Sequence, residues 1–248
     1  MELNNIKIFY INLKYSEKRR DFMENQFKKL GIYTYIRYEA IDGKEIKKDK
    51  IDNIYNILKK NNLHYTLPTL GEIGIFYSTI NLWNKIKNLK EDYFLILEDD
   101  VIINSRLIED LDYIINNISK NEIVKLDGRK GFFNIDTKKC HDIILKRYIT
   151  PPLGMTGYII GKDAAKRLSD IYTDYIVPVD NILQQVYKHK INIWCSNIRY
   201  IKHNDKNLGG STIQKQNKKS LKDKIRREIL RPIYRLKTHI RNFMGYIK

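Results

Sequence analysis

The chain has 248 residues, of which 42% are hydrophobic and 30% charged, enough for one large α/β domain or two small ones with a sizeable core. Its net charge is +17, but residues 215–248 hold twelve Lys/Arg against only Asp223 and Glu228, a net of +10, so the basic excess is largely a property of the C-terminal stretch. Cys140 and Cys195 form neither a disulfide framework nor a CxxC metal site. No run approaches the ~18 apolar residues of a membrane span, and nothing at the N-terminus reads as a signal peptide, so a cytosolic protein is expected.

In chain order, residues 6–13 (IKIFYINL) read as the first strand. Ser16 caps a helix running to Leu30, with Phe22, Met23, Phe27 and Leu30 at helical spacing, and Gly31 ends it. Residues 33–38 form a second strand, and this βαβ opening argues for a parallel sheet. Residues 45–63 are polar and Lys/Asn-rich, a weak helix or a loop. A helix over 71–89 places Ile73, Phe76, Ile80, Trp83 and Ile86 on one face. An acidic strand follows at 93–103, then a helix near 105–118 and a short strand at 123–126. Residues 128–150 mix turn residues with strand-like fragments whose order the sequence leaves open. A strand at 157–160 leads into a helix from Lys162, Pro178-Val-Asp180 precedes another helix, and Ile193-Trp194 and 198–201 read as late strands near the sheet edge. The pattern predicts a single alternating α/β domain over 1–214 with a helical appendage over 215–248.

The acidic strand, Tyr93-Phe-Leu-Ile-Leu-Glu98-Asp99-Asp100-Val-Ile-Ile103, carries the most chemistry. Five apolar or aromatic residues suit a strand buried on both faces. Three carboxylates at its end cannot stay buried and unpaired, since desolvating each costs several kcal/mol. They must emerge at the sheet's edge, where ligands bind in open α/β sheets and a cation can neutralise them. A divalent metal holding a phosphorylated substrate is the reading that follows, with Mn²⁺ or Mg²⁺ suited to oxygen ligands; a solvated turn is the plain alternative. Glu98 and Asp100 share one strand face by alternation and are the candidate metal ligands, while Asp99 points the other way, toward a basic partner or a catalytic task. His203, late in the chain, would complete a mixed oxygen and nitrogen site, or else be a surface histidine. Asp180 is either a helix N-cap or a carboxylate facing sugar or acceptor, and is the candidate general base. Asn12 and Leu13 close the first strand, and Arg19 and Arg20 open the helix after it, where an Arg could grip a diphosphate. Gly154, Thr156 and Gly157 make a small-residue entrance to a strand that a ligand could approach closely. No GxGxxG or GxxxxGK[ST] sequence occurs, which excludes support for the dinucleotide and P-loop classes.

Four blocks in order resemble the family 25 glycosyltransferases, which include the lipooligosaccharide galactosyltransferases of Gram-negative bacteria and collagen-modifying relatives. They are 9–20 (FYINLKYSEKRR) with Ala40-Ile-Asp42-Gly43; Leu70-Gly-Glu72-Ile-Gly74 with Tyr77-Ser78 and Leu82-Trp83, running into Leu97-Glu-Asp-Asp-Val101; Gly154-Met-Thr-Gly-Tyr-Ile-Ile160 with Ala164-Ala165 and Pro178-Val-Asp180; and His203 with Gly210-Ser211-Thr-Ile213. The resemblance spans about 6–213 and implies a GT-A-like Rossmann-type mixed sheet, a UDP-sugar donor and a divalent metal. It implies Glu98-x-Asp100 as the DxD-type motif, and adds Asp42, Glu72, Ser78 and Ser211 to the candidate substrate-binding residues. The expected reaction moves a hexose, galactose, to a sugar hydroxyl of a lipid-linked oligosaccharide. One departure stands out: Thr79 follows Ser78 where the family reads Ser-His. A noncatalytic membrane- or nucleic-acid-binding module with a decayed sugar site is the alternative.

The tail places Leu221, Ile225, Ile229, Ile233, Leu236, Ile240, Met244 and Ile247 at steps of three or four among Lys and Arg, with Pro232 dividing it at the first turn of a second helix. A basic amphipathic helix reads as a membrane-surface element, with about 1 kcal/mol per basic group near an anionic bilayer. The expectation is peripheral attachment to the inner face of the cytoplasmic membrane. Nucleic acid is disfavoured, because aromatic stacking residues are not interleaved with the charges, and packing of the stripe on the catalytic domain or on another subunit is the third option.

Overall fold

A computed structural model describes residues 6–61, 67–175, 177–204, 208 and 221–247. The N-terminal part runs β1 (Ile6–Leu13), α1 (Glu17–Lys29), β2 (Ile36–Ala40), α2 (Lys48–Asn61), α3 (Leu70–Ile86), β3 (Tyr93–Glu98) and β4 (Val101–Ile103). Next come α4 (Arg106–Asn116), β5 (Glu122–Lys125), β6 (Phe132–Cys140), β7 (Ile143–Thr150), β8 (Gly157–Gly161) and α5 (Lys162–Ile171). The chain closes with α6 (Val179–Gln184), α7 (Val186–His189), β9 (Asn192–Ser196), β10 (Ile201–His203) and α8 (Leu221–Ile247).

Eight strands form one sheet in the order β2-β1-β3-β8-β5-β9-β7-β6, and β10 pairs with β4 in a separate two-stranded ladder. β1 is parallel to β2 and β3, and β5 to β9, whereas β8 lies antiparallel between β3 and β5. The sheet is therefore mixed and flanked by helices, an α/β architecture. Side-chain alternation divides the core into two layers. Phe9, Ile11, Phe94, Ile96 and Ile160 face α3 and α5 with Phe76, Trp83 and Leu168, whereas Ile8, Tyr10, Leu95, Leu97 and Ile159 face α1 and α4 with Phe27, Leu107 and Leu111. Strands buried on both faces explain the unbroken apolar runs.

Several expectations shift. The second strand covers 36–40 rather than 33–38, and the polar 45–63 segment holds a real helix, α2, whose Ile51, Ile54 and Leu58 reach the core. Residues 128–150, unordered in the sequence reading, form the long β6–β7 hairpin at the sheet edge. The strand at Ile193-Trp194 lies inside the sheet between β5 and β7, not at its edge. Pro232 does not divide the tail: α8 continues through it as one helix. A proline inside a helix both removes its own N–H from the ladder and crowds the carbonyl four residues back; here the helix continues and packs on α7 and β7.

His189 closes α7 with its ring fully buried. Its Nδ1 accepts from Ile191 N at 3.0 Å and its Nε2 lies 3.3 Å from Leu183 O, which requires the neutral, Nε2-protonated ring. Burial first of all lowers its pKa to about 4, from 6.5. Between those values the unfolded chain binds the extra proton and the native state does not. Stability should therefore be lost as pH falls from 6.5 toward 4, by an amount on the order of 3 kcal/mol. Histidine NMR checks this directly, with a neutral His189 ring expected at pH values where exposed imidazoles are already charged.

Candidate active site

The carboxyl ends of β1 and β3 open onto a cavity of about 440 Å³. Its walls include Leu13, Arg19, Asp42, Thr79, Glu98, Asp99, Asp100, Gly154, Tyr158, Asp180 and His203. The floor is shaped by a close approach of α3 to the loop after β2: a Cβ on Gly43 would overlap the Leu70 carbonyl, and one on Gly74 would come within 2.6 Å of Ile41 O. Ser78 locks this contact, donating to Gly74 O at 2.7 Å and accepting from Ile41 N at 2.7 Å.

β3 ends at Glu98, and Asp99 and Asp100 sit in the turn before β4. The antiparallel β4–β10 ladder sets His203 opposite Val101, and Asn204 N donates to Asp100 O at 2.7 Å. That register, rather than strand alternation, brings His203 Nδ1 to 3.7 Å from Glu98 Oε2 and 3.5 Å from Asp100 Oδ1. Ligand atoms of Glu98, Asp100 and His203 all fall within 4.8 Å of one another. The other ring nitrogen, Nε2, lies 2.8 Å from Thr156 Oγ1, which holds the ring so that Nδ1 faces the acids. Asp100 Oδ1 is buried without a hydrogen-bond partner. An orphaned carboxylate oxygen beside a second carboxylate and an oriented imidazole fits a divalent cation.

Electrostatics agree with a site short of positive charge. Burial, and then the adjacent Asp100 carboxylate, push the Glu98 pKa up to about 8. Burial works in the same direction on Asp100, but the His203 ring and the Arg19 guanidinium outweigh it and hold Asp100 below the ordinary carboxylate range. Asp100 in turn raises His203 above the usual imidazole value. Asp180, in the first turn of α6, has its pKa raised by burial, against the pull of Lys125 and Arg129. The N-cap of α6 is Pro178, so Asp180 is not the cap.

Asp99 has both oxygens engaged. Oδ1 accepts from Arg19 Nη1 at 2.7 Å, and Oδ2 from Asn12 Nδ2 at 2.8 Å. Arg19 Nη1 also lies 3.0 Å from Asp100 Oδ2. Asp99 thus has the basic partner, and Arg19, which also lines the cavity, places Nη1 between the two carboxylates. Asn12 passes the network on, accepting from Arg37 Nε at 2.9 Å. Arg20 turns away to Glu17 and Asp21 and does not reach the cavity. Glu72 is used in a capping box with Thr69, and Ser78 is buried in the α3 contact, so both shape the site without lining it. Gly157 packs on Ile201 and Leu97 at the start of β8. Ser211 lies outside the described residues.

Sequence reasoning missed Lys125. Its Nζ, fully buried, donates to the carbonyls of Pro152 at 2.7 Å, Leu153 at 3.3 Å and Gly154, tying down the loop that carries Thr156. A lone lysine in the apolar run Ile123-Val-Lys-Leu126 was the available signal. Gly154 follows with φ +94°, and a Cβ there would overlap the Arg129 guanidinium. Lys125→Met should leave these carbonyls unpaired and cost about 1–3 kcal/mol of stability. It should weaken ligand binding in the cavity, and thermal unfolding with and without UDP measures both.

Similarity to known proteins agrees with this geometry. The family described as "Glycosyltransferase family 25 (LPS biosynthesis protein)" matches over residues 5–183. A "Glycosyltransferase 25 family member" of Drosophila pseudoobscura pseudoobscura is 27% identical over 196 residues, covering 75% of this chain and 31% of the relative. The human "Procollagen galactosyltransferase 2" is 27% identical over 194 residues, with 75% and 31% covered. This chain therefore spans about a third of the length of such relatives. A solved glycosyltransferase "involved in the glycosylation of the major capsid of PBCV-1" aligns with TM-score 0.32 at 12% identity, over 68% of this chain and 67% of that one. With the match covering most of its length and the acidic motif placed at the carboxyl end of β3, this chain belongs to glycosyltransferase family 25.

Proposed function

We propose that the chain is a metal-dependent glycosyltransferase that moves galactose from UDP-galactose to a sugar hydroxyl of a lipid-linked oligosaccharide of the lipooligosaccharide type. The observation that carries this reading is the convergence of ligand atoms of Glu98, Asp100 and His203 to within 4.8 Å of one another in the cavity wall. The cavity volume falls within the ~300–1,000 Å³ range of small-molecule sites. The three side chains would hold Mn²⁺ or Mg²⁺, which neutralises negative charge on a departing diphosphate.

The remaining chemistry belongs to the chain's own groups. Arg19 and Asn12 keep Asp99 and Asp100 in place, and Thr156 holds the His203 ring. Asp180, facing the same cavity, takes the proton from the acceptor hydroxyl as it attacks the anomeric carbon. Burial raises its pKa toward the working pH, which suits a general base. Thr79 lines the cavity at the position where the family carries His, so it bears on which donor fits. The lipooligosaccharide acceptor is supported by the family description and by the basic tail. Relatives named for procollagen make collagen peptides the competing acceptor.

UDP release tests the proposal, measured with UDP-galactose, Mn²⁺ and each acceptor class. Release that needs metal and acceptor supports it. Absence of release with every donor and acceptor tried, from a chain that still binds anionic lipid or nucleic acid, would favour the noncatalytic alternative.

A further inference from the structure

α8 meets the rest of the chain through its polar face. Tyr234, Thr238 and Asn242 recur every four residues and form one line along the helix. Asn242 Nδ2 donates to Thr150 Oγ1 at 3.0 Å and to Gln184 O at 2.8 Å, while its Oδ1 accepts from Tyr187 N at 2.9 Å. Gln185 Nε2 donates to the Tyr234 hydroxyl at 3.2 Å. The His239 ring lies with Nδ1 2.8 Å from Thr150 Oγ1 and stacks on Phe132 with centroids 4.2 Å apart. Thr238 and Asn242 are buried.

This reverses the usual arrangement, in which an amphipathic helix buries its apolar stripe. Here Ile229, Ile233, Leu236, Ile240, Phe243 and Ile247 face outward, between 45% and 67% exposed. At roughly 100° per residue they lie within about 40° of the line opposite Thr238. Arg235 and Arg241 flank it about 120° to either side of its centre, and Lys237 stands between the stripe and Arg241. Because hydrogen bonds fix the polar face to β7, α6 and α7, the stripe cannot turn inward.

We propose that α8 is an interfacial helix that lays this stripe into an anionic bilayer surface, with the rest of the chain seated on its polar face. Charge chooses the occupant. Basic borders complement anionic headgroups. A second copy would instead bring like charges together along both borders, with only Glu228 to offset them among the described side chains of the helix. Nucleic acid would meet the charges but leave the apolar stripe in water. None of the described helices is long and apolar enough to cross a membrane, which fits a helix lying in the surface. The seat also reaches the segment before β8: Gln184, whose carbonyl accepts from Asn242, donates through Nε2 to Pro151 O at 2.9 Å, just before the carbonyls that Lys125 pins.

The test uses the full chain and vesicles of phosphatidylcholine with or without phosphatidylserine, and needs neither donor nor acceptor, so its outcome is separable from that of the transfer assay. Sedimentation with the anionic vesicles is expected, weakening at high salt. Leu236→Glu with Ile240→Glu should lower partitioning about tenfold or more, without change in melting temperature, because both side chains are exposed. Arg235→Gln with Arg241→Gln should weaken binding to anionic vesicles alone. The proposal is overturned if the wild-type chain ignores anionic vesicles, or if the glutamate pair binds as well as wild type. A dimer that the glutamate pair dissociates, with no vesicle binding, assigns the stripe to a second copy and also overturns it. So does tighter binding to duplex or single-stranded nucleic acid that the glutamate pair leaves unchanged.

Discussion

Asp100→Asn is expected to lower kcat/KM for sugar transfer by about 10³-fold or more, since a metal at a departing diphosphate supplies several kcal/mol of transition-state stabilisation. The substitution preserves volume and removes the charge of a carboxylate that touches both Arg19 and His203. Melting temperature should change little, because Arg19 keeps Asp99. Mn²⁺ binding should fall together with turnover. Transfer at the wild-type rate in this variant, or in excess EDTA, removes the metal from the account.

The largest effect on stability is expected from Arg19→Met. Its guanidinium lies between Asp99 and Asp100, all three buried, and among the described residues no other Arg or Lys forms a salt bridge with either acid. Removing one member of a buried ion pair leaves uncompensated charge and costs about 3–5 kcal/mol. In a chain of this size, that lowers the melting temperature by roughly 10 °C. Arg19→Met with Asp99→Asn should recover much of the loss, and so should Mn²⁺, which supplies positive charge beside Asp100. If the single variant melts like wild type, the pairing is not what holds the turn.

The central feature of the site was legible because physics left the sequence few choices. An apolar run of Phe94-Leu-Ile-Leu97 must be buried, and Glu98, Asp99 and Asp100 must not be left unpaired there. His203 could be nominated from its place in the chain, but its reach depends on the β4–β10 register, a pairing between residues about a hundred apart that no local pattern records. Arg19 was visible as a cation near the acids. Its ion pairs with Asp99 and Asp100 depend on a tertiary contact between residues about eighty apart, which no local pattern records. Arg20 and Glu72 are ordinary residues of helix starts, and their nearest partners claim them. The β6–β7 hairpin was unreadable because a half-exposed edge pair mixes Lys, Asn and Thr among its apolar residues. In the tail the helical period was correct, but periodicity fixes an apolar face only relative to the helix. The hydrogen bonds of Asn242 and the burial of Thr238 decide which face meets the protein.

Calorimetric titration of UDP into the full chain, with Mn²⁺ and then in EDTA, tests the central claim most directly. The arrangement of Glu98, Asp100 and His203 predicts binding that requires the metal and weakens about a hundredfold or more when the metal is removed. Equal affinity with and without Mn²⁺ would contradict it.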